Sequence, residues 1–117
     1  MYTKHLIIGG GLSGLYKALQ LQREPFLWFE ARLTPDEEVD TSNEVSDEIA
    51  KKLHLSTTNN LVKAGWDRFH HNLRLGYKVV SIEKTGGKCM YVTLKDGVKY
   101  MADHVHVCTS SISKLNA

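Results

Sequence analysis

The 117-residue sequence has no apolar run approaching the roughly 18 residues that a membrane-crossing helix needs. It also lacks a basic segment leading into an apolar core at its start, because Gly9-Gly10-Gly11 breaks the first apolar run early. The expectation is a cytoplasmic chain in which Met1 is a true start and no membrane is involved. Cysteine is scarce. Nothing requires a bridge between Cys89 and Cys108, which read as two small apolar residues in a reducing compartment. Charge of one sign is missing too, the net being only +2. It is unevenly placed: residues 1–50 hold four Lys/Arg against nine Asp/Glu, whereas 51–117 hold eleven against four. The acidic side chains gather in Asp36, Glu37, Glu38, Asp40, Glu44, Asp47 and Glu48. The basic ones are scattered without aromatic interleaving, as on a solvated surface and unlike a nucleic-acid footprint. No internal repeat or low-complexity segment is present. With 42% apolar and 24% charged residues, the chain reads as one globular domain, 1–117.

What is present is a change of period along the chain. Lys4-His5-Leu6-Ile7-Ile8 reads as a buried parallel strand, stopped by glycines. From Leu12 to Gln22 the apolar residues fall at helical spacing, and Pro25 closes that helix. Phe26-Leu27-Trp28-Phe29 is again a strand, ending on Glu30, so the first thirty residues form a βαβ unit. Residues 33–43 read as an acidic loop. Ser42 or Asn43 is placed to cap a helix with Val45, Ile49 and Leu53 on one stripe. A second short helix is expected near Gly65–Leu73, with Trp66, Phe69 and Leu73 facing inward as core. From Gly76 the period becomes two: strands at Tyr77–Lys84, Lys88–Leu94 and Val98–Met101, with Asp96-Gly97 a strong hairpin signal. A last strand, His104–Thr109, follows.

The chemistry sits in Gly9-Gly10-Gly11-Leu12-Ser13-Gly14, which fits G-x-G-x-x-G. Gly9 permits the tight turn, Gly11 lets backbone approach a pyrophosphate, and Gly14 allows close helix–strand packing. The helix that follows offers unpaired N–H groups and a positive dipole end, to which the Ser13 hydroxyl can add a donor. Alone the pattern is weak. A strand before it, a helix after it, and Glu30 about 20 residues on make it a dinucleotide-binding fingerprint. The Glu30 carboxylate accepts ribose hydroxyls and repels a 2′-phosphate, which argues against NADP.

At these residues the sequence resembles a known family. Ile7-Ile8-Gly9-Gly10-Gly11-Leu12-Ser13-Gly14-Leu15, followed by Phe29-Glu30-Ala31-Arg32, resembles the FAD-binding core of the flavin-containing amine oxidases. Gly65-Trp66-Asp67-Arg68-Phe69, Val79-Val80-Ser81-Ile82-Glu83, and Asp96-Gly97 with Ala102-Asp103-His104-Val105 are similar to further elements of that family. The resemblance implies a Rossmann-like α/β fold of the glutathione-reductase type, a parallel sheet with an inserted three-stranded antiparallel meander. It implies FAD as cofactor, contacted by Gly9, Gly11, Leu12, Ser13, Gly14, Glu30, Ala31, Arg32, Val79 and Thr109. In the family, Glu30's counterpart holds the adenosine ribose, Arg32's lies near the phosphates, and backbone around Val79's holds adenine.

The sequence also departs from that family. Where a G-G-R segment normally continues, Leu33-Thr34-Pro35-Asp36-Glu37-Glu38 stands instead. The substrate domain and the motif covering the flavin ring have no counterpart, so no catalytic residue is assigned. The expected function is a minimal FAD-binding domain with weak or no oxidase activity. Three alternatives stay open: an oxidoreductase completed by a partner chain or homodimer, a scaffold using Glu44–Leu55 as an interaction helix, and an NAD-binding module. His104, His106 and Cys108 share a strand face with His5 nearby, but along one strand they span about 13 Å, too far to converge on one ion. No metal site is assigned.

Overall fold

The computed structural model describes residues 1–35, 44–56 and 60–108. Nine elements follow in order: β1 (Tyr2–Ile8), α1 (Leu12–Gln20), β2 (Phe26–Glu30), α2 (Glu44–Leu53), α3 (Leu61–Arg68), β3 (Leu73–Leu75), β4 (Val79–Lys84), β5 (Met90–Leu94) and β6 (Lys99–Val107). The six strands form one sheet in the order β3-β2-β1-β6-β5-β4. β3, β2, β1 and β6 run parallel, and β5 and β4 continue the sheet antiparallel. This is the mixed α/β, Rossmann-like architecture of FAD-binding domains, with the expected β1-α1-β2 unit and a β4-β5-β6 meander.

The core has two parts, as the strand periodicity requires. Ile7 and Trp28 join Leu15, Ala18 and Leu19 of α1, Ile49 of α2, and Leu61, Val62 and Trp66 of α3. Leu6, Ile8 and Phe29 instead cluster with the meander residues Val79, Val92, Leu94, Tyr100 and Ala102. Ile7, Leu15, Trp28, Ile49 and Leu61 are fully buried, and each such side chain contributes about 1.5–3 kcal/mol over its exposed form. Ile49 therefore occupies the inward stripe expected of α2, with Leu53 packed beside it. The expected cap residues Ser42 and Asn43, the loop residues 36–43, and Val45's side chain lie outside what is described.

Three local expectations change. Trp66 and Phe69 are buried as expected, but α3 spans Leu61–Arg68, starting where the Asn60 side chain accepts the Lys63 N–H at 3.1 Å. Leu73 reaches the same core from a different element. It opens β3, a parallel edge strand to which Asn72 is tied by its side-chain N–H on the Phe26 carbonyl and its own carbonyl on the Trp28 N–H. Helical spacing predicted the burial of Leu73 and missed the turn in between. Finally, the third meander strand and the last strand are one. Ala102, which lies between the two expected strands, pairs with Thr3 of β1 on one side and Met90 of β5 on the other.

The turns follow the sequence closely. Gly97 sits at φ 91°, and Asp96 Oδ1 accepts the Val98 N–H at 3.0 Å. Such left-handed backbone is easy only for glycine. What matters for function is the carboxyl edge of the parallel strands, where Ile8 and Glu30 end and α1 begins. In open α/β sheets that edge is where ligands bind.

Candidate functional site

The glycine turn is built from inside the protein outward. Gly9 leaves β1 at φ 112°, donating its N–H to the Phe29 carbonyl at 2.9 Å. Its own carbonyl accepts the Trp28 indole N–H at 2.7 Å. The Gly10 carbonyl accepts the Trp66 indole N–H at 2.8 Å, while the Gly10 N–H donates to Glu30 Oε1 at 2.8 Å. Gly11 then caps α1, and its carbonyl accepts the Leu15 N–H at 3.0 Å.

Each glycine meets a different neighbour. A Cβ on Gly14 would lie 1.9 Å from the Gly9 carbonyl oxygen, so the helix can approach the strand only because that carbon is missing. A Cβ on Gly10 would lie 2.7 Å from Glu30 and 2.9 Å from Trp66. Among the described residues, a Cβ on Gly11 would meet nothing within 4 Å. None of them requires glycine at position 11. The cradle it leaves faces the start of α1, where backbone N–H groups are unpaired and the dipole favours an anion.

Glu30 closes the site from β2. It is buried, and its carboxylate accepts the backbone N–H of Gly10 and the backbone N–H of Arg32. The Arg32 guanidinium adds contacts at 3.2 Å from Nη2 to Oε1 and 3.2 Å from Nε to Oε2. Burial alone would push the Glu30 carboxyl up; the guanidinium and the two backbone N–H groups outweigh it and hold it below the ordinary carboxylate value. Arg32 also lies over the Trp66 ring, 5.6 Å from its centroid.

The other expected residues sort as follows. Leu12 packs against the helix-side core and Ser13 is exposed in the first turn of α1. Ala31 is exposed beside Arg32. Val79 is buried, and the segment leading to it is pinned beside Glu30 and Arg32 by Tyr77 N–H to Glu30 O at 2.9 Å and Gly76 N–H to Arg32 O at 3.2 Å. Thr109 lies outside the described residues. Gly10, an x of the fingerprint, Trp28, expected only as a strand residue, and Trp66, expected only as core, turn out to shape the turn directly. Only the glycine at an "x" position of the fingerprint hinted at this.

Away from the turn, His5 Nδ1 and His106 Nε2 lie 3.0 Å apart, and the His104 ring stacks on His5 with centroids 4.9 Å apart. Glu24 Oε1 meets His5 Nε2 at 3.3 Å. Burial, then the nearby Lys17, His5 and His104 charges, push the His106 pKa down. Among the described residues no group of three or more His, Cys, Asp or Glu is arranged to hold a metal ion. The His70 and His71 rings lie 4.0 Å apart at a tilt of 38° in the exposed turn after α3. A cavity of about 720 Å³ between the β5–β6 turn and Gly76–Lys78 is lined by Tyr77, Lys78, Lys95 and Tyr100, and by none of the glycine-turn residues. No helix among the described residues is long and apolar enough to cross a membrane.

No family model matches the chain, and no curated protein matches it. Solved structures do. A steroid monooxygenase bound to NADP aligns with a TM-score of 0.69 at 18% identity, over 92% of this chain and 26% of that one. The structure of OTEMO in complex with FAD and NADP aligns at 0.71 and 17% identity, over 92% and 26%. A flavin-containing monooxygenase from Stenotrophomonas maltophilia aligns at 0.65 and 15% identity, over 92% and 38%. The chain thus spans between about a quarter and two fifths of the length of these structures. At such identities the likeness establishes the fold, an FAD-type Rossmann-like unit. Two of the three are monooxygenases by name, and the likeness does not single out the amine oxidases.

Proposed function

We propose that the chain is an FAD-binding unit that grips the adenosine and pyrophosphate half of the cofactor. The observation that carries this reading is Gly11: its missing side chain leaves open space directly before the start of α1, although no neighbour among the described residues needs that space. A pyrophosphate there would take the N–H groups around Gly11, Leu12 and Ser13, with the Ser13 hydroxyl as a further donor. Glu30 stands at the ribose position. In binding, the ribose hydroxyls replace guanidinium contacts on Glu30, and the partly exposed Arg32 turns toward the phosphates. The backbone near Val79, fixed beside Glu30, borders the adenine. FAD, when bound, would supply two-electron redox chemistry; the residues described here bind and orient it.

The amine oxidase kinship is the finer part of the proposal, supported by the Ile7–Leu15 and Phe29–Arg32 strings and the Ala102–Val105 segment. Oxidase activity on this reading is weak or absent unless a second copy or a partner chain completes the flavin pocket. A nicotinamide nucleotide is a second reading, favoured by the NADP bound in two of the similar structures. Buried Glu30 opposes its 2′-phosphate. Titration with FAD, NAD and NADP, followed by the flavin visible spectrum and by thermal shift, tests the choice. Uptake of FAD with a raised melting temperature is expected. No uptake of FAD overturns the reading, and a larger shift with NADP replaces it.

A further inference from the structure

A turn that presents N–H groups to an anion must send its carbonyls the other way, into the protein. A buried carbonyl without a donor is costly. Here two consecutive carbonyls are each met by an indole N–H, Gly9 by Trp28 at 2.7 Å and Gly10 by Trp66 at 2.8 Å. The indoles come from different elements, β2 and α3, and are 0% and 5% exposed. Two such contacts on adjacent residues are more than packing demands, since a phenyl ring would fill much of the same space without orienting a carbonyl.

Gly10 is held on both sides. Its N–H is fixed by Glu30 and its carbonyl by Trp66, while Arg32 bridges Glu30 and the Trp66 ring. The peptide planes flanking Gly10 therefore cannot rotate without breaking a hydrogen bond. That rotation is what a flexible run of three glycines would otherwise allow at little cost.

We infer that Trp28 and Trp66 are positioning residues of the dinucleotide site, locking the Gly9 and Gly10 carbonyls inward so that the N–H groups from Gly11 onward stay aimed at a diphosphate. The inference rests on the dinucleotide reading proposed above. It explains how a turn of three successive glycines can be preorganised rather than limp, and it assigns the recognition to the diphosphate in particular. Neither indole touches the ligand; both act through the backbone.

The test uses Trp28→Phe and Trp66→Phe, each keeping an aromatic ring and deleting the N–H. Binding of FAD, ADP and adenosine is measured by calorimetry, with backbone amide exchange of residues 10–12 followed without ligand. Each variant is expected to bind FAD and ADP about tenfold more weakly, the equivalent of one hydrogen bond at about 1.4 kcal/mol. Adenosine, which lacks the diphosphate, should lose less, and amide exchange at residues 10–12 should quicken. Unchanged FAD affinity in variants that fold overturns the inference, as does an equal loss for adenosine. If one variant fails to fold, the other carries the test on the neighbouring carbonyl. Failure of the dinucleotide reading shows separately, as absence of FAD and ADP binding by the unsubstituted chain. In that case the inference falls with it, whereas failure of the inference alone leaves the unsubstituted chain binding FAD and ADP.

Discussion

Replacing Gly11 by alanine separates what the fold needs from what the ligand needs. Gly11 has φ −82° and ψ −163°, an extended backbone that alanine adopts without strain. Its added Cβ would meet no atom of the described residues within 4 Å. As the residue capping α1, alanine is worse than glycine by about 0.5–1 kcal/mol. Against that, removing glycine restricts the unfolded chain and stabilises by about 0.4–1 kcal/mol. The two nearly cancel, so the melting temperature should stay within about 4 °C of the unsubstituted chain. Binding should weaken. The methyl group stands where the pyrophosphate approaches, and losing one charge-assisted hydrogen bond of about 1.5–3 kcal/mol weakens FAD roughly 10- to 150-fold. Gly14→Ala makes the contrast, because its Cβ would lie 1.9 Å from a backbone oxygen that cannot move aside. That overpacking costs about 1–3 kcal/mol or more, seen as a melting temperature lowered by several degrees per kcal/mol. Thermal melts with and without FAD, on both variants, decide. FAD bound normally by Gly11→Ala would refute the placement of the pyrophosphate, and a large drop in its melting temperature would refute the reading of open space.

Other substitutions and conditions probe the surroundings of the site. Gly65→Ala gains about 1 kcal/mol of helix propensity in α3, yet its Cβ would lie 2.3 Å from Leu15 Cδ1; urea melts should show net destabilisation of about 1 kcal/mol unless Leu15 rotates. Glu30 has a native pKa below its ordinary value of about 4.5, so it stabilises the fold above that pH and loses the contribution as pH falls through the native value; Glu30→Gln should flatten the acid limb of a stability–pH curve. His106 is also depressed, below an ordinary value of about 6.5, so the unfolded chain binds more protons as pH drops under that value. Stability should therefore rise with pH up to about 6.5 and level off above it, and His106→Gln should remove part of that slope in denaturant titrations at pH 5 to 7.

The fold was largely legible because its strongest signals are local. A short apolar strand, three glycines, a helical stripe and a second apolar strand sit within thirty residues, and the Asp96-Gly97 turn announces its hairpin. What escaped detection depends on partners far away in sequence. Leu73 has the spacing of a helix face, and only its pairing with Trp28 makes it a strand. Ala102-Asp103 looks like a break until β1 and β5 are placed on either side of it. A three-residue edge strand such as β3 has too few side chains to show a period at all.

The site divides along the same line. Gly9, Gly14 and Glu30 announce themselves because their tasks are set within one βαβ unit, where spacing alone fixes geometry. Gly10 and Trp66 are 56 residues apart, and no pattern in the sequence ties them. Yet the link runs both ways. A side chain at position 10 would strike both Glu30 and Trp66, so this "x" of the fingerprint is glycine because an indole and a carboxylate close on it from opposite elements. Gly11 stands apart, since no described residue closes on it. Two adjacent, identical residues thus carry unlike constraints, one imposed by the protein's interior and one, on the function proposed above, by a diphosphate, and only their surroundings tell them apart.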